Sequence, residues 1–237
     1  MFRFKQFTVK QQESAMKVGT DAILLGAWSQ FAKDVDAVLD IGSGTGVLSL
    51  MLAQRFPSTS IRAIEVDEDA FEEGKFNFEN SDWSERIRSL HISFQEFYSD
   101  WKVGDLKYDG ILSNPPFFTE AIKPKESKRL KARNTSSLSF EELLFGVSKI
   151  LSETGSFSTI IPFEQEAVFL KIAEQYQLFP SRICRVQGAP NTTVKRSLLQ
   201  LSFQENGFEI QQLIVENARH HYTEEFQNLT KDFYLNF

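Results

Sequence analysis

The chain has 237 residues, 41% of them hydrophobic, with 23 phenylalanines and a formal net charge of -6. That suffices for one large unit with a sizeable core, and the acidic balance excludes nucleic-acid binding by bulk charge, so any such binding needs a local basic patch. One cysteine, Cys184, excludes an internal disulfide, and no run approaches the ~18 apolar residues of a membrane span.

In chain order, residues 2–9 alternate, with Phe2, Phe4 and Val9 set against Arg3, Lys5 and Thr8. A short strand or arm with a basic edge fits, and the alternation is too fine for a secretory segment. The expected location is cytoplasmic. Met16-Lys17-Val18-Gly19-Thr20-Asp21 reads as a turn into a helix capped by Thr20 or Asp21, with Ile23, Leu24, Ala27, Trp28 and Phe31 on its apolar face.

The stretch Val38-Leu39-Asp40-Ile41-Gly42-Ser43-Gly44-Thr45-Gly46-Val47-Leu48 reads as a buried strand, a glycine turn and the start of a helix. Gly42, Gly44 and Gly46 allow a sharp turn and close approach of a ligand to main-chain atoms. A dinucleotide would set its pyrophosphate at the helix N-terminus. S-adenosylmethionine would instead use an acid near the strand end, here Asp40, for its ammonium. The spacing is Gly-x-Gly-x-Gly and lacks the Gly-x-Gly-x-x-Gly of the dinucleotide fingerprint. Glycines alone leave the cofactor open.

A second strand, Ser60 to Asp67, places Glu65 about twenty residues past the turn, where an acid accepts both hydroxyls of a ribose. A helix runs to roughly Asn80, then a third strand from Ile87 to Ile92. Ser93-Phe94 closes it where a cofactor base could lie, although Phe94 reads equally well as core.

The fourth strand, Tyr108 to Ser113, runs into Asn114-Pro115-Pro116-Phe117-Phe118. The prolines remove two amide donors. Asn114 Oδ1 and the Pro115 carbonyl can then accept both N–H bonds of a planar amine, while Phe117 stacks on its ring. The first and fourth strand ends neighbour each other at the switch point of such a sheet. The long loop Thr119 to Ser139 carries Lys123, Lys125, Lys128, Arg129, Lys131 and Arg133 against Glu120 and Glu126, and it suits a polyanion.

Ser139 and Glu142 form a capping box for a helix from Leu143 to Leu151, and Gly155 precedes a fifth strand, Phe157 to Ile161. After a helix over roughly 164–177, the end looks antiparallel: Arg182 to Gln187, Ser197 to Gln204, a Glu-Asn-Gly turn, then Phe208 to Val215. Lys195 and Arg196 add basic charge before the second of these. His220-His221 has no partner at metal-ligand spacing, so no metal site is expected. Tyr222 to Phe237 reads as an aromatic-faced helix docked on the body.

With these pieces assembled, the chain resembles class I S-adenosylmethionine-dependent methyltransferases and, within them, the bacterial tRNA adenine N6-methyltransferases. The likeness rests on Phe2-Arg3-Phe4-Lys5-Gln6-Phe7, on Ala15 to Trp28, on the glycine turn and on Ser113-Asn114-Pro115-Pro116-Phe117-Phe118. It implies a Rossmann-like α/β fold with helices on both faces of a seven-stranded, mostly parallel sheet, in the order 3-2-1-4-5-7-6 with the last strand antiparallel. The chain is expected to form a single domain over 1–237, with 1–30 an arm and helix near the cofactor and 222–237 a tail helix that is not universal in the family.

The resemblance also implies methyl transfer from S-adenosylmethionine to N6 of adenine 37 in a valine tRNA. A monomer without metal or membrane partner is the expectation from the residues. The implied catalytic residues are Asn114, Pro115, Pro116 and Phe117. Those for the cofactor are Thr20, Asp21, Asp40, Gly42, Gly44, Gly46, Glu65, Ser93, Phe94 and Asn114. RNA contacts fall to Lys128, Arg129, Lys131, Arg133, Lys195 and Arg196. Two positions depart from the family pattern: Ser93 stands where Asp is frequent, and Phe117 where Tyr is frequent. The alternatives are methylation of a protein glutamine amide, which shares the tetrapeptide, a non-catalytic RNA-binding module, and a nicotinamide dehydrogenase.

Overall fold

A computed structural model describes residues 1–14, 16–32, 35–115 and 138–237. The chain opens with a two-strand antiparallel ribbon, β1 (Phe2–Arg3) and β2 (Thr8–Val9). Helix α1 (Thr20–Trp28) is buried continuously from Ala22 to Trp28, as its nearly unbroken apolar sequence requires. Gly19 is its N-cap and no side chain caps it. The expected capping by Thr20 or Asp21 is therefore corrected: both already lie inside the first helical turn.

Alternating units follow: β3 (Ala37–Ile41), α2 (Val47–Arg55), β4 (Ser60–Glu65), α3 (Glu68–Glu79), β5 (Ile87–His91), α4 (Phe94–Asp100) and β6 (Tyr108–Ser113). Beyond residue 137 come α5 (Phe140–Ile150) and β7 (Leu151–Pro162), then a 3-10 turn (Phe163–Gln165) and α6 (Glu166–Gln175). The chain ends in β8 (Phe179–Gln187), β9 (Val194–Ser202), β10 (Glu209–Ile214), a small ribbon of β11 (Glu216–Ala218) and β12 (His221–Tyr222), and α7 (Glu224–Thr230). Ser139 caps α5 in a reciprocal box with Glu142, as the spacing predicts.

Among the described residues the main sheet has eight strands, in the order β5-β4-β3-β6-β7-β9-β8-β10. The first five are parallel, and β9 runs antiparallel to both β7 and β8. The order is the implied one with an eighth strand added. That strand, β10, pairs parallel to β8. The expected hairpin after β9 does not form, because both edges of β9 are already occupied and the only vacant edge nearby belongs to β8. Gly155 lies inside β7 rather than before it. The strand leaves α5 directly at Leu151, and its register slips opposite Tyr108–Gly110.

Side-chain alternation along β3 divides the core. Val38 packs with α1, α2 and the two chain ends on one face, while Leu39 and Ile41 pack with α4, α5 and α6 on the other. Helix α7 stops at Thr230, short of the expected run to Phe237. Phe226 and Phe233 are nonetheless buried, and they belong to the same apolar cluster as Phe4 and Phe7 of the opening ribbon. Lys5 Nζ donates to the carbonyls of Lys231 and Phe237, 2.6 Å each. The two chain ends therefore close on each other. Among the described residues no helix is long and apolar enough to cross a membrane.

Candidate active site

The chain leaves β3 toward β4 and β5 on one side, and reaches β6 and β7 on the other. Such a reversal opens a crevice at the carboxyl ends of the strands. Here it holds a cavity of about 350 Å³, within the usual size of a small-molecule site. Its walls come from Gly42 and Gly44 after β3, Glu65 to Asp67 after β4, Ile92 to Gln95 after β5, and Ser113 to Pro115 after β6. Ser14, Met16 and Leu138 add to its rim.

The glycine turn is built as the sequence suggests. Gly42, Gly44 and Gly46 have φ of 69°, 52° and 80°, in the left-handed region that other residues rarely adopt. Gly46 has a second reason to be glycine: a Cβ there would lie 2.3 Å from the Phe78 ring. The amides of Gly42 and Ser43 both donate to the Ile64 carbonyl, which fastens the turn to β4. Glu65 fastens it again. Its Oε2 accepts from the Gly44 amide at 2.8 Å, and its Oε1 from the amides of Val66 and Asp67 at 2.8 and 2.9 Å. A carboxylate offers about four acceptor sites, so Glu65 keeps capacity for a ligand hydroxyl in the cavity it lines.

Asp40 is placed differently from its expected role. It alternates with Leu39 and Ile41, so it points to the α2 side of the sheet and is not on the cavity wall. It is fully buried, and its Oδ2 accepts from the Ser49 amide (3.1 Å) and hydroxyl (2.7 Å). Its Oδ1 has no partner among the described residues. Burial pushes its pKa up to about 7 against the two Ser49 hydrogen bonds, with Glu65 adding a smaller rise. Asp40 thus ties the end of β3 to the first turns of α2.

Thr20 and Asp21 are also absent from the cavity wall. Asp21 Oδ2 accepts from Arg196 Nε at 2.8 Å, joining the start of α1 to β9. Arg196, expected to meet RNA, is thereby engaged within the protein, whereas Lys195 is exposed. Gly46 lies behind the turn. Ser93 is on the wall but caps α4: its hydroxyl donates to Glu96 Oε2 at 2.6 Å and accepts from the Glu96 amide. The Ser93 hydrogen bonds hold the Glu96 carboxyl below the ordinary range. Helix α4 was legible in Ser93-Phe94-Gln95-Glu96, a capping-box spacing. Phe94 serves both readings, buried in the core and touching the cavity.

Asn114 and Pro115 lie on the cavity wall at the end of β6, beside the glycine turn. Ser113 Oγ donates to the Ile41 carbonyl at 3.1 Å, locking the ends of β6 and β3 together. Asn114 Oδ1 is buried and finds no hydrogen-bond partner among the described residues. A buried acceptor left unpaired costs about 1–3 kcal/mol, so this position is set for an incoming donor. Pro116, Phe117, Lys128, Arg129, Lys131 and Arg133 lie outside the described residues.

Sequence reasoning missed Ser14, Met16 and Gln95 on the cavity wall, and Glu73 and Asn77 behind it. The last two had a signal. They fall on the buried stripe of α3 with Ala70, Gly74 and Phe78, where a carboxylate and an amide interrupt an otherwise small and apolar face. Among the described residues no group of three or more His, Cys, Asp or Glu could hold a metal ion.

Comparison with known proteins agrees with this architecture. Residues 15–158 match the methyltransferase small domain. A tRNA1(Val) (adenine(37)-N6)-methyltransferase of Christiangramia forsetii is 47% identical over 234 residues, covering 99% of this chain and 97% of its own. Its counterpart from Flavobacterium johnsoniae is 45% identical, covering 99% of both chains. Among solved structures, one described as a predicted O-methyltransferase from Agrobacterium tumefaciens superposes with a TM-score of 0.70 at 18% identity, covering 90% of this chain and 96% of that one. It shares the fold. The chain belongs to the methyltransferase small domain family, in the group of the tRNA1(Val) (adenine(37)-N6)-methyltransferases that it matches over nearly its whole length.

Proposed function

We propose that this chain transfers the methyl group of S-adenosylmethionine to N6 of adenine in tRNA, at adenine 37 of a valine tRNA. The observation that carries the reading is the buried Asn114 Oδ1 beside Pro115, without a hydrogen-bond partner among the described residues, on the wall of a cavity that also contains the glycine turn and Glu65. The relatives' names support the substrate.

The residues present fit the cofactor. Gly42 and Gly44 have open space where a Cβ would stand, so a ligand can lie against the backbone there. Glu65 offers its remaining acceptor capacity to ribose hydroxyls, and Ile64, Ile92 and Phe94 give an apolar bed for a flat base. Ser93 has its hydroxyl committed to Glu96 and contributes backbone and shape rather than a free acceptor. When bound, S-adenosylmethionine supplies an electrophilic methyl.

The protein's part is orientation. Adenine N6 is a poor nucleophile because its lone pair is delocalised into the ring. Asn114 Oδ1 and the Pro115 carbonyl accept its two N–H bonds, which favours a tetrahedral nitrogen with its lone pair aimed into the cavity. Such positioning supplies part of the ~7–11 kcal/mol available from proximity and orientation. The proton is lost after transfer, when the methylated nitrogen is acidic, so no strong base is needed. A base in a single-stranded loop leaves its stack at least cost. Phe117 is assigned to stack on it, and Lys128, Arg129, Lys131, Arg133 and Lys195 to meet phosphates. Their positive charge supports a polyanionic substrate in an otherwise acidic chain. The monomeric state and cytoplasmic location belong to the same reading.

Single-turnover methylation of a valine tRNA transcript with adenine 37, against the same transcript carrying guanine there, tests the assignment. Methyl incorporation is expected in the first alone. Equal incorporation in both, or thermal stabilisation by NAD and not by S-adenosylhomocysteine, would overturn it.

A further inference from the structure

We infer that Glu73 is a positioning residue: it holds the N-terminal segment in place as the outer wall of the cofactor cavity. The inference rests on the cofactor reading above. Residues 10–14 have no helix or strand of their own, yet Ser14 and Met16 line the cavity. One face of α3 fixes Ser14 and the residues before it, while Lys17 Nζ donates to the Gln11 and Gln12 carbonyls and the Val18 amide donates to Gln11 Oε1. The Glu73 carboxylate accepts three consecutive backbone amides: Gln12 and Glu13 on Oε1 at 2.6 and 3.2 Å, and Ser14 on Oε2 at 2.9 Å. One turn further along, Asn77 Oδ1 accepts from the Lys10 amide at 2.8 Å, and Asn77 Nδ2 donates to the Lys10 carbonyl at 2.9 Å.

The same face grips the glycine turn. Asn77 Nδ2 also donates to the Thr45 carbonyl at 2.9 Å. Gly74 lets the helix press against the turn so closely that a Cβ would stand 2.7 Å from the Gly44 carbonyl oxygen. Helix α3 therefore sets the spacing between two walls of the cavity. Glu73 is 3% exposed, and an isolated carboxylate so deeply buried is costly. Burial pushes its pKa up, but the amides of Ser14, Gln12 and Glu13 outweigh it, and the carboxyl lies below its ordinary range. The ionised form is thus the one the segment binds. A carboxamide cannot replace it, because it offers one acceptor and turns an N–H group toward the third amide.

The test is Glu73→Gln, with Asn77→Ala as a second variant that leaves the carboxylate intact. S-adenosylhomocysteine affinity, KM for S-adenosylmethionine, kcat and backbone hydrogen exchange are measured on the full chain. For Glu73→Gln we expect the dissociation constant and KM to rise at least tenfold together, with kcat at saturation within threefold because Asn114 is untouched. Exchange at Gln12, Glu13 and Ser14 should accelerate while the sheet stays protected. Asn77→Ala should move the same quantities by a smaller factor, and if Glu73→Gln does not fold, Glu73→Asp, which keeps the charge but shortens its reach to the three amides, decides the matter by the same readouts. Unchanged affinity in the variants, with faster exchange at residues 12–14, would overturn the inference. Failure of the wild-type protein to bind S-adenosylhomocysteine would instead overturn the cofactor reading on which it rests.

Discussion

The two walls of the cavity differ in how much of their polar surface is already used. On the glycine-turn side, Glu65 holds three amides, Glu73 three more, and Asn77 ties two segments together. On the β6 side, Asn114 Oδ1 is buried without a hydrogen-bond partner among the described residues. The first wall is held together by the protein's own hydrogen bonds before any ligand arrives. The second is left incomplete at the position that the proposed function assigns to the reacting amine. A bound cofactor needs a preformed mould, whereas a target base needs vacant acceptors that become valuable only as the lone pair turns toward the methyl.

The largest effect that would break this contrast is expected from Asn114→Ala. One lost hydrogen-bond partner costs about 1–3 kcal/mol, and misorientation of the amine adds to it. Single-turnover methylation should fall at least about a hundredfold, while S-adenosylhomocysteine and tRNA affinities stay within about threefold, since tRNA affinity comes mostly from phosphate contacts. Near-normal turnover would remove the motif from the reaction.

Asp40 sharpens the contrast, because it is a buried acid off the cavity wall whose Oδ1 has no partner among the described residues. Its folded pKa, about 7, is raised above the ordinary 3.8. The proton is therefore held by the folded state over that window, and stability from it is complete below about pH 4 and is lost as pH rises toward 7. Asp40→Asn mimics the protonated form and removes this dependence. Denaturant titrations should show the wild type losing ground to the variant by up to about 1.4 kcal/mol per pH unit between pH 4 and 7, then running level. A constant gap would show that Asp40 ionises normally.

Gly74→Ala attacks the mould directly. A Cβ 2.7 Å from a backbone oxygen has no flexible neighbour to displace, and overpacking of this kind costs about 1–3 kcal/mol. Melting temperature and S-adenosylhomocysteine affinity should fall together. A drop in melting temperature without loss of affinity would uncouple α3 from the cavity.

Glu65→Gln should be milder, about a tenfold loss of cofactor affinity from one weakened charge-assisted hydrogen-bond set, read by calorimetry with kcat at saturation retained. The smallest effect belongs to Lys5→Ala, remote from both walls. It frees the Lys231 and Phe237 carbonyls, but these lie at the surface, and the apolar packing of Phe226 and Phe233 remains. A change under about 1 kcal/mol is expected from such an exposed contact, with methylation unaltered.

Sequence alone determined the strand–turn–helix at Val38 to Leu48, strands read at 60–67, 87–92 and 108–113 that the structure trims to 60–65 and 87–91 in the first two cases, and the nearness of the glycine turn to Asn114. Each is a local pattern, an apolar run closed by glycines or prolines, and the order of parallel strands then brings their carboxyl ends together. Tertiary structure decided the rest. Asp40 and Glu65 look alike as strand-end acids, but the two-residue alternation of a strand turns one toward α2 and the other into the cavity. Gly207 suggests a hairpin, but β9 has no free edge, so β10 joins β8. Asp21 and Arg196 are 175 residues apart and meet only because α1 starts beside β9. Glu73 stands on α3 some sixty residues from the amides it holds, and no local spacing records that distance: a carboxylate's partners are fixed by whatever backbone the folded sheet carries to it.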